Sequence, residues 1–273
     1  MAVITISRQL GSDGDTVAGL LEKHGLTRSD QHALDTLIQK SGIPEDTIQE
    51  LDERKPSFWK SFSLDRGRYL HFLRSAMIEV VRPGSAVLVG RGASVVLRHV
   101  PGVLRVRLVA PEEVRVQRIM RELDCDQSSA ERIMHHSDQD RSGFYRYFFE
   151  EEWNKPEQYD VTINTADLAP PDVADLIMHL ASSPVYSCDP AVFTQRIEDM
   201  ELEQAVAAHI LYDVGIPVRF FVAEATAGAV TLRGIVNVPG EEERCATVAR
   251  EVPGVLSVHT EINFIPDYVG PTW

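Results

Sequence analysis

Glycine and hydroxyl residues follow the first apolar run of the chain at a spacing that could hold a phosphate group. Val3 to Ile6 have the composition of a buried strand, and residues 7–16 lead from it into a predicted helix. In such a loop, glycines let backbone amides point at phosphate oxygens, and the helix N-terminus adds partial positive charge. Gly14 and Thr16 fit the pattern G-x-x-x-x-G-K-[ST], and the Thr16 hydroxyl could bind Mg²⁺. The sequence predicts a phosphate-binding loop, with an ordinary strand-to-helix turn as the alternative.

The charge of this loop departs from the pattern. Gln9 stands at the first glycine and Asp15 at the lysine, while Asp13 adds a second acid. At about 5 Å and an effective dielectric constant near 20, replacing lysine by a carboxylate turns an attraction of roughly 3 kcal/mol per phosphate charge into a similar repulsion. Either Asp15 points away from the phosphates or binding is weak. Arg8, just before the loop, is the candidate for replacing the missing lysine charge.

Length and composition predict a globular chain of two domains. The chain has 273 residues, of which 44% are hydrophobic and 25% charged, as in ordinary folded proteins. No stretch approaches the roughly 18 uninterrupted apolar residues of a membrane span, so we expect a cytoplasmic protein. The net charge of -14 opposes general binding to nucleic acid or anionic lipid. A small anionic ligand in a local basic pocket is compatible with it.

Alternating strand and helix patterns predict a doubly wound parallel α/β domain over residues 1–183. Helix-length segments separate the apolar runs, which indicates parallel pairing of the strands. Ser128 and Glu131 are spaced as a capping box, which predicts the start of a helix. A polar helical insertion is predicted over residues 30–81, with interruptions at residues 42–44 and at Pro56. The runs predicted as strands after the first are residues 85–89, 104–109 and 160–164.

A second, smaller α+β domain of order αββαβ is predicted over residues 196–267. Residues 184–195 contain two prolines and no clear period, and they are predicted to be a linker. Residues 201–273 contain no lysine, and their acids outnumber their arginines. This charge disfavours docking to anionic phospholipid, so self-association through the exposed sheet face, or a contact between the domains, is the better prediction for this domain.

Both predicted domains carry residues that resemble known families. In the first domain these are residues 4–9 with Gly11 and Ser12, residues 89–93, Asp140 and Arg141 with Tyr145 and Tyr147, and residues 159–160 with 163–165. Together they resemble the cytidylate kinase-like proteins of the P-loop nucleoside monophosphate kinase group, over roughly residues 1–182. Residues 202–264 resemble a BON domain through Gly228, Val230, Leu232, Gly234 and the turn at residues 252–255.

The first resemblance implies transfer of the γ-phosphoryl group of ATP to a nucleoside monophosphate such as CMP, with Mg²⁺ bridging the phosphates. Such chemistry depends on positioning and positive charge more than on a covalent nucleophile. The resemblance places Arg91 on the acceptor phosphate and Arg141 with Arg146 in a closing lid. Around the ATP phosphates it places Gly11, Ser12, Gly14 and Thr16, and Asp13 and Asp15 complete the predicted ATP-binding segment.

Several of these residues have simpler alternatives. Asp30 is a candidate for contacting the acceptor sugar or base, but a turn aspartate would look the same. Arg91 could instead be a surface or capping arginine, and Arg141 part of a solvated ion-pair face. Aromatic residues 144–149 with Trp153 could stack on a base or pack the lid helix onto the core.

Three functions are compatible with the sequence. The first is a nucleotide kinase whose BON domain regulates or oligomerises it. The second is a nucleotide-binding sensor without turnover that signals through the BON domain, which Asp15 would favour. The third is a kinase for another small molecule, since related folds differ mainly in the acceptor pocket.

Overall fold

The computed structural model describes residues 2–40 and 66–266 of the chain. Residues 30–40 and 66–81 at the two ends of the predicted insertion are helical apart from Asp30. The predicted interruptions at residues 42–44 and Pro56 lie outside the described residues. The chain divides into two units, Met1–Phe193 and Thr194–Trp273.

Strands and helices alternate along the first unit. Its strands are β1 Ala2–Arg8, β2 Thr27–Ser29, β3 Ser85–Val89, β4 Val103–Val109 and β5 Val161–Asn164. Its helices are α1 Gly14–Lys23, α2 Gln31–Lys40, α3 Arg66–Val81, α4 Ala93–Val96, α5 Glu112–Leu123, α6 Gln127–Phe149 and α7 Pro170–Ala181, with a short 3₁₀ turn at Pro156–Gln158.

The five strands form one parallel sheet of order β2-β3-β1-β4-β5. Ile4 of β1 aligns with Val87 of β3 and with Leu104 of β4, so β1 is the central strand. Residues 3–8 of β1 are buried, on both faces of the sheet, and Ile4 packs in one core with Leu21 of α1 and Ile177 of α7. Parallel strands covered in this way are mostly apolar, and such runs are visible in the sequence. The predicted doubly wound α/β fold is confirmed.

The strand order reverses at β1. The chain places β2 and β3 on one side of β1, and it then crosses over and places β4 and β5 on the other side. Ligands of open α/β sheets bind at such a reversal, beyond the carboxyl ends of the strands. The loop after β1, residues 9–13, and the turn after β3, residues 90–92, both lie at this edge.

Two local predictions for the first unit were incomplete. Strand β2 was missed because it has three residues and two of them are polar, so it shows no apolar run. Helix α6 begins two residues earlier than the predicted capping box would place its first turn. Its N-cap is Asp126, whose carboxylate accepts a 2.7 Å hydrogen bond from the Ser129 amide, and not Ser128. The hydrogen bond holds the pKa of Asp126 below its ordinary value.

The second unit has the predicted order αββαβ. Helix α8, Pro190–Ala208, enters it from the end of the first unit. The second unit then contains a π-helical turn at His209–Asp213, β6 Arg219–Thr226, β7 Ala229–Val236, α9 Glu241–Ala249 and β8 Ser257–Phe264. Strand β7 pairs antiparallel with β6 and parallel with β8. Helix α8 begins at Pro190, inside the segment predicted as a linker, because proline suits the first turn of a helix. No helix in the described parts of the chain has both the length and the apolar character to cross a membrane.

Candidate functional site

The loop between β1 and α1 has a backbone that requires glycine at one position. Gly11 has a positive φ of 78°, and a Cβ there would lie 2.8 Å from the backbone oxygen of Arg115 on α5. Asp13 is also left-handed, with φ 57°, and it is the N-cap of α1. Helix α5 therefore packs directly against the loop and fixes its path.

Side chains from outside the loop bind three consecutive loop carbonyls. Arg115 Nε donates to the Leu10 oxygen at 2.7 Å, Arg118 Nη1 donates to the Gly11 oxygen at 3.2 Å, and the Thr165 hydroxyl donates to the Ser12 oxygen at 3.2 Å. In a trans peptide group the carbonyl and the following N–H point in opposite directions. The amides of Gly11 and Asp13 therefore point away from these arginines and from Thr165.

The N-terminus of α1 is not capped by its own N-cap residue. The Asp13 side chain makes no capping hydrogen bond, and it forms an ion pair with Arg118 Nε at 3.1 Å. The first amides of a helix have no partner within the helix, so those of Gly14, Asp15 and Thr16 are directed outward with partial positive charge. Such an end attracts an anion.

The predicted ATP-binding residues differ in what their side chains do. The Ser12 hydroxyl donates to the Gln9 oxygen at 2.8 Å and is buried, so Ser12 stabilises the loop from within. The Thr16 side chain is exposed in the first turn of α1. The Asp15 side chain is 63% exposed and pairs with two arginines, Arg8 at 3.6 Å and Arg28 at 3.8 Å. Arg28 is not among the site residues predicted from the sequence.

Arg8 runs beside the loop and is 9% exposed. Its aliphatic stem lies against Gly14, where a Cβ would be 2.6 Å from Arg8 Cγ. Its Nη2 faces Asp15, while its buried Nε has no hydrogen-bond partner among the residues that the structure describes. Arg8 therefore brings a largely desolvated positive charge to the end of α1, where the predicted loop lacks its lysine.

A narrow cleft, too small in this structure to admit a water molecule, lies beside Arg8 at the carboxyl edge of the sheet. It brings together Arg8 and Arg141, two residues predicted from distant parts of the sequence. Arg141 Nη1 donates to the Ser137 hydroxyl at 2.7 Å, and its guanidinium lies 5.9 Å from the ring centre of Trp153. The cleft is lined by Ser7, Arg8, Gly90, Arg141, Tyr145 and Trp153.

A buried cluster behind this cleft joins Trp153, a residue predicted from the sequence, to Arg107, which was not predicted. Arg107 of β4 lies 4.4 Å from the Trp153 ring centre and donates to the Asn154 side chain at 2.7 Å. The Trp153 indole N–H donates to the Ser7 hydroxyl at 2.9 Å, and so does the Tyr159 hydroxyl at 3.1 Å. Trp153 is 2% exposed, so it packs as a wall of the cleft. The signal available in the sequence was the pair of arginines, Arg105 and Arg107, within the otherwise apolar run of β4.

Arg91 lies in the turn after β3 and is fully buried. Its Nη2 donates to both carboxylate oxygens of Asp35 on α2 at 2.8 Å, and its Nη1 donates to the Tyr69 hydroxyl on α3 at 2.9 Å. The guanidinium thus connects α2 and α3 to the sheet. A contact with an acceptor phosphate stays a prediction, and in this structure Arg91 binds Asp35.

Asp30 and Arg146 lie outside the cleft. Asp30 is followed by α2 and accepts a 3.2 Å hydrogen bond from the Ala33 amide, so it caps that helix, and it pairs with Arg28 at 3.4 Å. Arg146 is exposed and follows Arg141 by five residues, about 140° around α6. The structure does not bring Arg141 and Arg146 together as the predicted lid pair.

The comparison with family models decides which family this geometry belongs to. The model of the cytidylate kinase-like family matches residues 3–167. The chain belongs to the cytidylate kinase-like family. Residues 198–266 match the BON domain, so the chain combines a cytidylate kinase-like domain with a C-terminal BON domain. A comparison with curated proteins found no match.

Solved structures resemble the cytidylate kinase-like domain at low sequence identity. An uncharacterized protein from Eubacterium ventriosum is 21% identical, with a TM-score of 0.50, and the match covers 67% of this chain and 99% of that one. The shikimate kinase from Bacteroides thetaiotaomicron is 15% identical, with a TM-score of 0.37 and coverages of 66% and 96%. At 21% identity the likeness to the Eubacterium ventriosum protein concerns the fold alone.

The described residues of the cytidylate kinase-like domain offer few grouped protein ligands for a metal ion. No group of three or more His, Cys, Asp and Glu side chains suited to a metal occurs among the described residues. Mg²⁺ typically keeps several waters and is held by one or two protein groups together with substrate phosphates. The single exposed hydroxyl of Thr16 fits a Mg²⁺ ion that arrives with a nucleotide, which is the metal role predicted for it.

Proposed function

We propose that the cytidylate kinase-like domain binds ATP with Mg²⁺ at the N-terminus of α1 and transfers the γ-phosphoryl group to a small acceptor such as CMP. The observation that supports this most is the loop after β1. Arg115, Arg118 and Thr165 hold its carbonyls on one side, which leaves amides of the loop and of the first turn for phosphate oxygens. The kinase-like family and the sheet topology agree with it.

Each element of the site has a role in this proposal. The amides of Gly11, Asp13 and Gly14 bind phosphate oxygens, and Thr16 binds the metal. Bound Mg²⁺ would neutralise phosphate charge. Arg8 and Arg141 face the cleft beside the loop, where they stabilise the charge of the transferred group. An acceptor oxygen bonds to the γ-phosphorus as the bond to the β–γ bridging oxygen breaks, and ADP leaves.

A nucleotide sensor without turnover is the second candidate, and Asp15 and Arg91 favour it. Asp15 brings a carboxylate to the position of the usual lysine, and the arginine predicted to bind the acceptor is bonded to Asp35. Nucleotide binding without transfer would then be signalled through the BON domain. The role of that domain in regulation or self-association, and the cytoplasmic location, stay predictions.

A coupled assay with ATP, Mg²⁺ and a panel of nucleoside monophosphates tests the proposed function. Turnover with at least one acceptor is expected, and Arg141→Gln should lower kcat about 100-fold if Arg141 stabilises the transferred group. Arg132→Gln, which removes the same charge from an exposed position of α6, is the control and should leave kcat within about twofold. ATP binding without turnover on any acceptor would support the sensor instead.

A further inference from the structure

Arg28 on the edge strand β2 reaches the predicted phosphate-binding segment. Its Nη2 lies 3.8 Å from Asp15 Oδ1, and its Nη1 donates to the Asp15 backbone oxygen at 3.5 Å. Its Nη2 also pairs with Asp30 at 3.4 Å. Asp15 and Asp30 thus hold the guanidinium over α1. Gly19 leaves room for it there, since a Cβ at Gly19 would lie 3.5 Å from Arg28 Nη1.

The contact changes the electrostatic role of Asp15. Read from the sequence, Asp15 is an uncompensated negative charge beside the phosphates of a nucleotide. In the structure its carboxylate lies within 4 Å of both Arg8 and Arg28. A carboxylate held between two guanidiniums repels a nearby anion far less than an isolated one, since the opposite charges offset it at short range.

We propose that Arg28 is a positioning residue for nucleotide binding, which acts by holding and neutralising Asp15. The proposal rests on the proposed ATP site. Arg8 is nine-tenths buried and lines the cleft, whereas Arg28 is 26% exposed and is not among the residues that line it. Arg28 therefore acts on the nucleotide through Asp15, and it frees Arg8 to interact with phosphate.

The test is a set of calorimetric titrations of the full chain with ATP and Mg²⁺. Arg28→Gln should weaken binding about fivefold, the scale of a partly exposed ion pair. The double variant Asp15→Asn with Arg28→Gln should bind as tightly as Asp15→Asn alone, because Arg28 has no role once the carboxylate is gone. Arg28→Lys keeps the charge and should restore binding to within about twofold of the unmodified chain.

Lys23→Gln is the matched control. It removes one positive charge from the last turn of the same helix, about 12 Å along the axis from Asp15, and should change affinity less than twofold. Thermal unfolding of each variant checks that it is folded. If Arg28→Gln does not fold, Asp15→Asn alone carries the test. It should raise ATP affinity less than about threefold while Arg28 is present.

Two kinds of result overturn the proposal. Arg28→Gln could leave the ATP affinity unchanged, or it could lower that affinity equally with and without the additional change Asp15→Asn. Either result would show that Arg28 does not act through Asp15. A tenfold or greater gain in Asp15→Asn would show that the carboxylate is not neutralised. Absence of ATP binding by the unmodified chain would overturn the proposed function as well, which distinguishes the two failures.

Discussion

The stem of Arg8 lies against the α-carbon of Gly14, so that a Cβ at Gly14 would be 2.6 Å from Arg8 Cγ and 2.7 Å from Arg8 Cβ. Gly14 is the first residue of α1 and has a negative φ, so its backbone alone would accept any side chain. The glycine is required because Arg8 occupies the space. The atoms in contact are close to the Arg8 backbone and cannot move aside by rotation of the guanidinium end.

Gly14→Ala should therefore displace Arg8 and destabilise the chain. Overpacking of this kind typically costs about 1–3 kcal/mol. Gly19→Ala, in the same helix, is the control, because its Cβ would be in ordinary contact at 3.5 Å from Arg28 Nη1. Alanine also suits a helix interior better by about 0.5–1 kcal/mol. Urea unfolding of both variants measures the difference, and equal stabilities would contradict the packing described for Arg8.

Asp35→Asn should destabilise the first unit through the buried guanidinium of Arg91. Removing one partner of a buried ion pair typically costs about 3–5 kcal/mol, and we expect about 3 kcal/mol because the Asp35 side chain is 17% exposed. Asp30→Asn is the control, since asparagine is as good an N-cap as aspartate and the change should stay below about 1 kcal/mol. Chemical unfolding of both variants is the measurement. A loss of stability no greater in Asp35→Asn than in Asp30→Asn would show that the Arg91 pair does not connect the helices to the sheet.

Asp15→Lys should raise ATP affinity about tenfold, because it replaces a neutralised carboxylate by a positive charge at the end of α1. Asp15→Asn separates the loss of the acid from the gain of the lysine. Titration calorimetry gives the affinities, and the coupled assay gives the turnover. A gain in affinity with no turnover in either the variant or the unmodified chain would favour the sensor. A loss of affinity would mean that the side chain at position 15 does not face the nucleotide.

The BON domain should lose stability as the pH rises through neutrality. Hydrogen bonds of His209 to Asp213 at 3.2 Å and to Glu251 at 3.4 Å raise its pKa above 6.5. A histidine whose pKa is raised by folding stabilises the folded state when it is protonated. This stabilisation is complete at pH values below the unfolded pKa, and it disappears as the pH rises through the folded pKa. His209→Gln should therefore be less stable than the unmodified chain at pH 5.5 and nearly equal to it at pH 8.5. Urea unfolding at both pH values measures this, and a difference that does not change with pH would refute it.

The sequence predicted the parts of the molecule that follow from local patterns. Strands β1, β3 and β4 were predicted because each is a mostly apolar run, and β5 was predicted although only its Ile163 is buried. Strand β2 was missed because it is short and polar. Arg8 and Arg141 were both predicted, and the fold brings them to one cleft. Arg28, Arg115 and Arg118 could not be found in this way, because their partners in the loop are 13 to more than 100 residues away in sequence.

Long-range contacts decide what Arg91 does, whereas the role of Asp30 is local. From the sequence, Arg91 had a phosphate-binding or a surface role, and its full burial against Asp35 depends on how α2 folds onto the sheet. Asp30 caps α2, which is a local role similar to the turn aspartate given as its alternative. Contacts between distant elements carry no local periodicity, so single-sequence reasoning does not reach them.

Binding of ATP with Mg²⁺ to the unmodified chain and to Arg8→Gln is the most direct test of the central claim, that Arg8 and the N-terminus of α1 form a nucleotide phosphate site. Titration calorimetry should show one site per chain, weakened at least tenfold by Arg8→Gln and unchanged by Lys23→Gln. Thermal unfolding should confirm that Arg8→Gln is folded. No binding to the unmodified chain, or equal binding to Arg8→Gln, would contradict the claim.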